Sequence, residues 1–138
     1  MPKMLPRCPS LIACRQVSVD PATGRPTLED VLQEFTVTGA RGSWDRLVVW
    51  AEVEDGLGRF RAGLRVVRPA DNLAARLRLA HVEIDVEFNR PRQLRVLVFV
   101  VEDLPLPGPG EVELLLLFDG AVTMRRSLPV LAGSPRFN

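Results

Sequence analysis

Residues 59–67 read RFRAGLRVV and residues 82–88 read VEIDVEF, and these two stretches decide the fold. In the first, apolar side chains occupy the even positions and arginines occupy most of the odd ones. In the second, apolar side chains alternate with acidic ones. Alternation with a period of two is typical of a β-strand that buries one face. The two stretches therefore predict neighbouring antiparallel strands that line one apolar interior.

Their outward faces carry opposite charges, which predicts a ladder of ion pairs. A hairpin about residues 71–72 brings Arg61 opposite Glu83 and Arg59 opposite Asp85. Cross-strand pairs of this kind contribute about 0.2–1 kcal/mol each and help to fix the register. We interpret the ladder as solvated surface that holds the strands in place, because exposed charge ladders are ordinary surface features.

The rest of the chain is cut into strand-length segments by twelve prolines and ten glycines. Segment 27–37 is also compatible with an amphipathic helix, because its apolar residues recur at helical spacing. We expect residues 1–10 to form an irregular N-terminal segment and residues 132–138 a C-terminal tail. The eight predicted strands are 11–19, 27–37, 47–54, 59–67, 82–88, 94–101, 111–118 and 121–131.

Four local features refine this prediction. Leu77 and Leu79 fall at odd positions whereas Val82 falls at an even one, so in a regular strand they would face opposite sides. This predicts a bulge or break near Ala80. The almost entirely apolar segment 94–101 is typical of a central strand covered on both sides. Three prolines in segment 104–110 predict a loop. The Asp-Gly pair at residues 119–120 is a strong signal for a hairpin turn.

Together these features predict an all-β protein. The expected architecture is a single domain over residues 1–138, an antiparallel β-sandwich of about eight strands, immunoglobulin-like or C2-like. A chain of 138 residues is long enough to bury about 70% of its unfolded surface, and it is short for two domains.

Composition narrows the classes of partner. The formal net charge is +1, so no strong field attracts nucleic acid or an anionic membrane. The longest apolar runs have strand length, whereas a membrane-spanning helix needs about 20 residues. Residues 6–10, directly before Leu11, interrupt the apolar stretch that a signal peptide requires. We therefore expect a cytoplasmic protein with Cys8 and Cys14 as free thiols.

No motif predicts catalysis or a cofactor. His81 is the only histidine and its parity matches the charged face, so we interpret it as a surface residue. A zinc site normally draws on several Cys and His ligands, and one histidine with two distant thiols does not match that pattern. A pair of Cys8 or Cys14 with His81 would need hydrogen-bond contact, which a sequence does not reveal. The sequence therefore predicts no enzyme, no cofactor and no catalytic residue.

One metal hypothesis rests on acidic turns. If successive strands are antiparallel, the turns that contain Asp20, Asp55 and Asp119 lie at the same end of the domain. Calcium favours converging carboxylate and carbonyl oxygens. Aspartate is equally favoured in tight turns for conformational reasons, and Arg90 and Arg92 are expected at the same end and would repel a cation. The turn-forming interpretation is therefore preferred.

Three residues are candidates for contact with a partner. Trp44 falls in a predicted loop over residues 39–45, where it either packs over one end of the domain or forms a contact surface. Trp50, in a β-rich segment, is expected in the core. Arg125 and Arg126 are adjacent on the last strand, so one of them must point inward or lie at an edge.

Segments 11–37 and 107–130 together resemble a widespread family of small bacterial β-sandwich proteins of unknown function. The first segment has an apolar strand with Cys14, the turn Asp20-Pro-Ala-Thr-Gly24 and an apolar stretch that ends at Phe35. The second has a proline-glycine loop, a strand, the Asp119-Gly120 turn and a final strand. The chain departs from the family pattern at residues 39–45 and at Arg126. The resemblance implies the fold and no activity.

The function that we expect is a non-catalytic protein-interaction or assembly module of the bacterial cytoplasm. Its edge strands or end loops would contact an unidentified protein or a second copy of the chain. The alternative is a β-sandwich that binds a small ligand or calcium through the loops at one end.

Overall fold

A computed structural model describes residues 3–37, 42–69, 77–90 and 92–133. These residues form strands and connecting turns. The strands are β1 (Arg7–Cys14), β2 (Gln16–Val19), β3 (Pro26–Glu29), β4 (Phe35–Val37), β5 (Gly42–Glu54), β6 (Gly58–Arg68), β7 (Leu77–Phe88), β8 (Arg95–Leu106), β9 (Gly110–Phe118) and β10 (Ala121–Ala132). The prediction of an all-β protein is confirmed.

The strands form three sheets. One has three strands in the order β1-β5-β8, and a second has five in the order β4-β10-β9-β6-β7. The short strands β2 and β3 pair separately as a hairpin. Every pairing is antiparallel except that of β4 with β10, which is parallel. The five-stranded sheet is therefore mixed.

The two large sheets contribute to a single hydrophobic cluster. Strands β1, β5 and β8 supply residues such as Leu11, Val49 and Phe99, and the five-stranded sheet supplies residues such as Leu64 and Leu116. Three phenylalanines meet edge to face within it, with ring centroids 5.7–6.4 Å apart: Phe60, Phe88 and Phe118. Such edge-to-face pairs add about 0.5–1.5 kcal/mol each beyond the area that they bury.

Strands β6 and β7 pair as predicted, but their register differs by two residues. Arg61 lies opposite Asp85 and Arg59 lies opposite Glu87, so the predicted pairing of Arg59 with Asp85 is wrong. The prediction placed the turn at residues 71–72, which lie outside the described residues. A two-residue shift keeps every side chain on its face, so burial alone does not distinguish the two registers.

The predicted bulge near Ala80 is confirmed. Val66 pairs with Ala80 while the next residue, Val67, pairs with Arg78, so Leu79 is the extra residue of β7. Leu79 and Ala80 both pack against the core even though they are adjacent. The extra residue shifts the alternation of the strand by one, so the apolar side chains before and after the bulge point to the same side of β7.

The prediction of segment 94–101 as a central strand covered on both sides is wrong. Strand β8 is an edge strand of the three-stranded sheet, and its alternate valines are exposed. The predicted loop over 104–110 is also partly wrong, because residues 104–106 continue β8 and Gly110 begins β9. Proline is tolerated in an edge strand, where its missing N–H can face away from the sheet, and Pro105 is such a case.

Other boundaries also differ from the prediction. Residues 7–10 belong to β1, and Met4 forms a β-bridge with Leu57, so the N-terminal segment is not irregular throughout. Segment 11–19 breaks at Arg15, and segment 27–37 forms β3 and β4 with an irregular connection and no helix. The C-terminal tail lies outside the described residues beyond Gly133.

The Asp119-Gly120 hairpin is confirmed. Phe118 pairs with Ala121 across a two-residue turn, and both turn residues have positive φ (51° and 83°). This is the backbone geometry of the primed turns that match the twist of paired strands.

Arg126 fastens the two large sheets together. Its Nη1 donates to the carbonyl oxygen of Leu11 in edge strand β1 at 2.6 Å. Because they are adjacent on one strand, one of the two arginines, Arg125 or Arg126, is expected to point inward or to lie at an edge. Arg126 is half-buried, whereas Arg125 is exposed.

We expect Arg126→Met to lower the free energy of unfolding by about 1–2 kcal/mol, because it removes a charged donor from a carbonyl group. The matched control Arg125→Met should change it by less than about 0.5 kcal/mol, as is usual for exposed sites. Urea denaturation of both variants gives the comparison. Equal effects would mean that the contact with Leu11 does not stabilise the fold.

Candidate functional site

The outer face of the five-stranded sheet carries a network of ion pairs on β6 and β7, next to a small buried apolar cluster of Val67, Leu115 and Leu117. Arg61 contacts Glu83 at 2.6 Å and Asp85 at 2.9 Å, and Arg59 contacts Glu87 at 3.4 Å. The predicted Arg61–Glu83 pair thus exists, but as a diagonal contact. All these side chains are exposed to a third or more, so solvent screens the pairs and each contributes little to stability.

His81 lies within this network. Arg65 Nε donates to its Nδ1 at 3.3 Å, so the ring proton sits on Nε2, which donates to Glu83 Oε1 at 2.6 Å. A Cβ on Gly63 would lie 3.1 Å from the imidazole Cε1, so the glycine makes room for the ring. Both ring nitrogens are engaged, and neither is available as a base for a thiol.

The two thiols are protonated at neutral pH. Burial raises the pKa of Cys8 to about 11. Burial also raises the pKa of Cys14. A reactive cysteine needs the opposite shift. Their environment therefore gives no support to a thiolate nucleophile.

The three acidic turn residues do not come together. Asp20 accepts from the N–H of Ala22 within its own turn, and Asp55 accepts from the Arg7 guanidinium. Asp119 accepts from Lys3 Nζ at 2.6 Å and from the Arg61 N–H at 2.8 Å. Among the described residues, no group of three or more Asp, Glu, His or Cys side chains is arranged to hold a metal. The geometry thus supports the turn-forming role.

Asp119 makes stability depend on pH. The N–H of Arg61, and secondarily Lys3, stabilise the carboxylate and hold the pKa of Asp119 below its usual value. A carboxyl group with a lowered native pKa stabilises the fold above its unfolded pKa of about 3.9, and this stabilisation is lost as the pH falls through the native value.

We therefore expect Asp119→Asn to reduce stability at neutral pH and to flatten the acid limb of the pH–stability profile. Lys3→Met should show a smaller change of the same sign, since it removes only the second contribution. Chemical denaturation at a series of pH values measures this. Parallel profiles for the wild type and Asp119→Asn would contradict the assignment.

The predicted contact residues lie apart from one another. Trp44 is part of strand β5 and not of a loop, and its half-buried ring meets Phe35 edge to face at 5.1 Å. Arg15 stacks over the same ring at 5.9 Å. Trp44 is thus a packing residue of the domain rather than an exposed contact. Arg125 is exposed on β10, and Arg126 is held by β1.

The outer face of the three-stranded sheet differs in character. In β5, Leu47, Val49, Ala51 and Val53 belong to the core, so the residues between them face the other way. The register then sets three outward rows across β1, β5 and β8. These rows are Ser10-Glu52-Val96, Ile12-Trp50-Val98 and Cys14-Val48-Val100.

Seven of these nine side chains are apolar. Val96 and Val98 are each 40% exposed and Val100 is 37% exposed, while Ile12 and Trp50 are half-buried. We call these five residues the valine face. The expectation that Trp50 lies in the core is wrong, because Trp50 is central to this outer face, where its Nε1 donates to Glu52 at 3.3 Å.

Charged residues border the valine face at both ends. Glu52 ends it on one side, and the cross-strand pair Arg46 and Glu102 ends it on the other. An apolar patch with a polar rim is typical of an interaction surface. The sequence did not reveal it because a run such as VLVFVV fits a strand covered on two faces as well as an exposed edge strand.

No helix among the described residues has the length and apolar character needed to cross a membrane.

No model of a known protein family matches the chain, and no curated protein matches it. Among solved structures it is similar to the crystal structure of Beta-D-glucoside glucohydrolase from Trichoderma reesei, with a TM-score of 0.48 and 12% identity. The similarity covers 91% of this chain and 19% of that one, so this chain spans about a fifth of that protein. A likeness at this level bears on neither architecture nor activity. Membership of the bacterial family of unknown function stays a prediction.

Proposed function

We propose that this domain is a non-catalytic protein-interaction or assembly module that binds through the valine face. We further propose that the two large sheets form the layers of an immunoglobulin-like or C2-like sandwich, and that the protein acts in the bacterial cytoplasm. The observation that carries the proposal is the apolar outer face of the three-stranded sheet.

The contrast between the two outer faces supports this proposal. A sheet that packs one face on a core normally presents polar side chains to water on the other. On the outer face of the five-stranded sheet, β6 and β7 follow that rule with their arginine–carboxylate ladder, and the apolar residues Val67, Leu115 and Leu117 beside it are buried. The valine face departs from it, and burying partly exposed valines yields about 25 cal/mol for each Å² removed from water. A partner that covers this face therefore gains a favourable free energy of apolar burial that the isolated domain lacks.

Trp50 offers a direct probe of this surface. The chain has two tryptophans, so Trp44→Phe leaves Trp50 as the only indole. When the valine face is covered, Trp50 emission should shift to shorter wavelength and acrylamide should quench it less. The measurement is a titration of the purified Trp44→Phe chain from micromolar to millimolar concentration. An emission spectrum and a quenching constant that stay unchanged over this range would exclude self-association through the valine face.

Val98→Thr tests whether the face is used. It should change the free energy of unfolding by less than about 0.5 kcal/mol, since the side chain is partly solvated, but it should weaken the Trp50 response. Val122→Thr is the matched control, because Val122 is 39% exposed on β10, outside the face. Val66→Thr, in the core, should cost about 1–3 kcal/mol. If Val98→Thr lowered the free energy of unfolding as much as Val66→Thr, the valine face would be packed within the chain, and this would contradict the proposal.

A further inference from the structure

Four strand edges bound the two large sheets, and three of them are protected. In β1, the carbonyl oxygens of Leu11 and Ala13 accept from Arg126 Nη1 and from the Leu32 N–H. Strand β4 is only three residues long. Strand β7 carries the acidic side chains of the ladder. Short length, charge and covering groups are the usual means by which proteins prevent edge-to-edge pairing.

Strand β8 is the fourth edge. Strand β7 of the other sheet packs against it, but the central residues of β8 carry none of these devices. Residues 96–101 read VLVFVV, six apolar residues without charge or proline. Within the described part of the chain, β8 has a strand partner on one side only, which is β5. Such a segment at an edge is a template for adding another strand.

The ends of β8 are protected and limit how far a strand can be added. At one end, Arg95 lies over the Phe88 ring at 5.8 Å and donates to the Glu87 carbonyl. At the other end, Asp103 has a φ of 52° and Pro105 lacks an N–H, so the regular backbone stops there. The six apolar residues between them are the length of an ordinary strand.

The sequence of β8 is complementary to itself when it is reversed. In an antiparallel pair of two copies, centred on Phe99, Arg95 of one copy lies opposite Asp103 of the other. Every residue between Leu97 and Val101 then lies opposite an apolar residue. Residues opposite each other in such a pair point to the same side of the sheet, so core-facing and outward side chains stay on their own faces.

We propose that β8 pairs with β8 of a second copy of this chain to form a two-fold dimer with one continuous six-stranded sheet. This inference goes beyond the proposed function, because pairing at the β8 edge leaves the outward valines of both copies uncovered and available to a partner. The two-fold operation is closed, so assembly ends at the dimer. The valine faces of the two copies then join into one surface, and two Arg95–Asp103 ion pairs form just beyond the ends of the new ladder once Arg95 gives up its bond to the Glu87 carbonyl.

Sedimentation velocity and amide hydrogen exchange on the wild-type chain test the dimer without any substitution. We expect a monomer–dimer equilibrium as concentration rises, with exchange slowed about tenfold or more at the alternate amides of residues 96–101 that point away from β5, and unchanged on β1, β4 and β7. A dimer whose protection lies outside β8, or a ladder of larger species, would overturn this inference. Either result would leave a valine-face contact intact.

Exchanging the charges tests the pairing itself. Arg95→Glu and Asp103→Arg should each weaken the dimer by roughly tenfold, because like charges then lie opposite each other. An equimolar mixture of the two variants should associate more tightly than either alone, because both ion pairs are restored in the mixed dimer. Asp103→Asn keeps a residue that tolerates positive φ and should weaken the dimer less than Asp103→Arg. Thermal melts of dilute samples check that each variant folds.

Mixed dimers that are no tighter than the parents would overturn the antiparallel β8 pairing. A wild-type chain that stays monomeric at millimolar concentration would overturn the second copy as partner. The proposed function fails by a different result, namely a core-sized loss of stability in Val98→Thr. The two failures are therefore distinguishable.

Discussion

Burial of one apolar cluster by both large sheets is the constraint on which the other features depend. Because side chains alternate across a strand, placing Val49 and Leu64 in this cluster also fixes which of their neighbours face outward. A one-residue slip would exchange the two faces of a strand, which makes the register of each core-facing strand costly to change. The bulge at Leu79 lets apolar residues on both sides of it pack in this cluster, and the contact of Arg126 with β1 links the two sheets that enclose it.

The same constraint produces two outer faces of different chemistry. On β6 and β7, the outward positions hold arginines and carboxylates that neutralise one another, so this surface carries little net charge. On β5 and β8, the outward positions hold Trp50 and three valines. Water contacts these side chains in the isolated chain, and association is the direct way to remove that contact. The difference between the faces, rather than any cluster of reactive groups, is the observation from which we propose a function.

Much of the fold could be predicted from alternation and turn chemistry. The strands around residues 59–67 and 82–88, the bulge near Ala80 and the turn at Asp119 follow from local patterns. The register of the ion-pair ladder could not be predicted, because a two-residue shift keeps every side chain on the same face. The valine face could not be predicted either, since an apolar run does not reveal whether its second face is covered. Trp44 lies in a strand because β5 begins at Gly42, five residues before the predicted start, and Trp50 faces outward because its neighbours Val49 and Ala51 point into the core.

The central claim is that the valine face is solvent-exposed in the isolated chain and becomes covered on association. Methyl NMR with a soluble paramagnetic probe measures this directly. We expect strong relaxation of the Val96, Val98 and Val100 methyls in dilute solution, little relaxation at Leu97 and Val101, and loss of the valine effect when a partner packs on the face. Valine methyls that are shielded in the dilute monomer would contradict the claim, as would valine methyls that stay equally exposed in every complex that the chain forms.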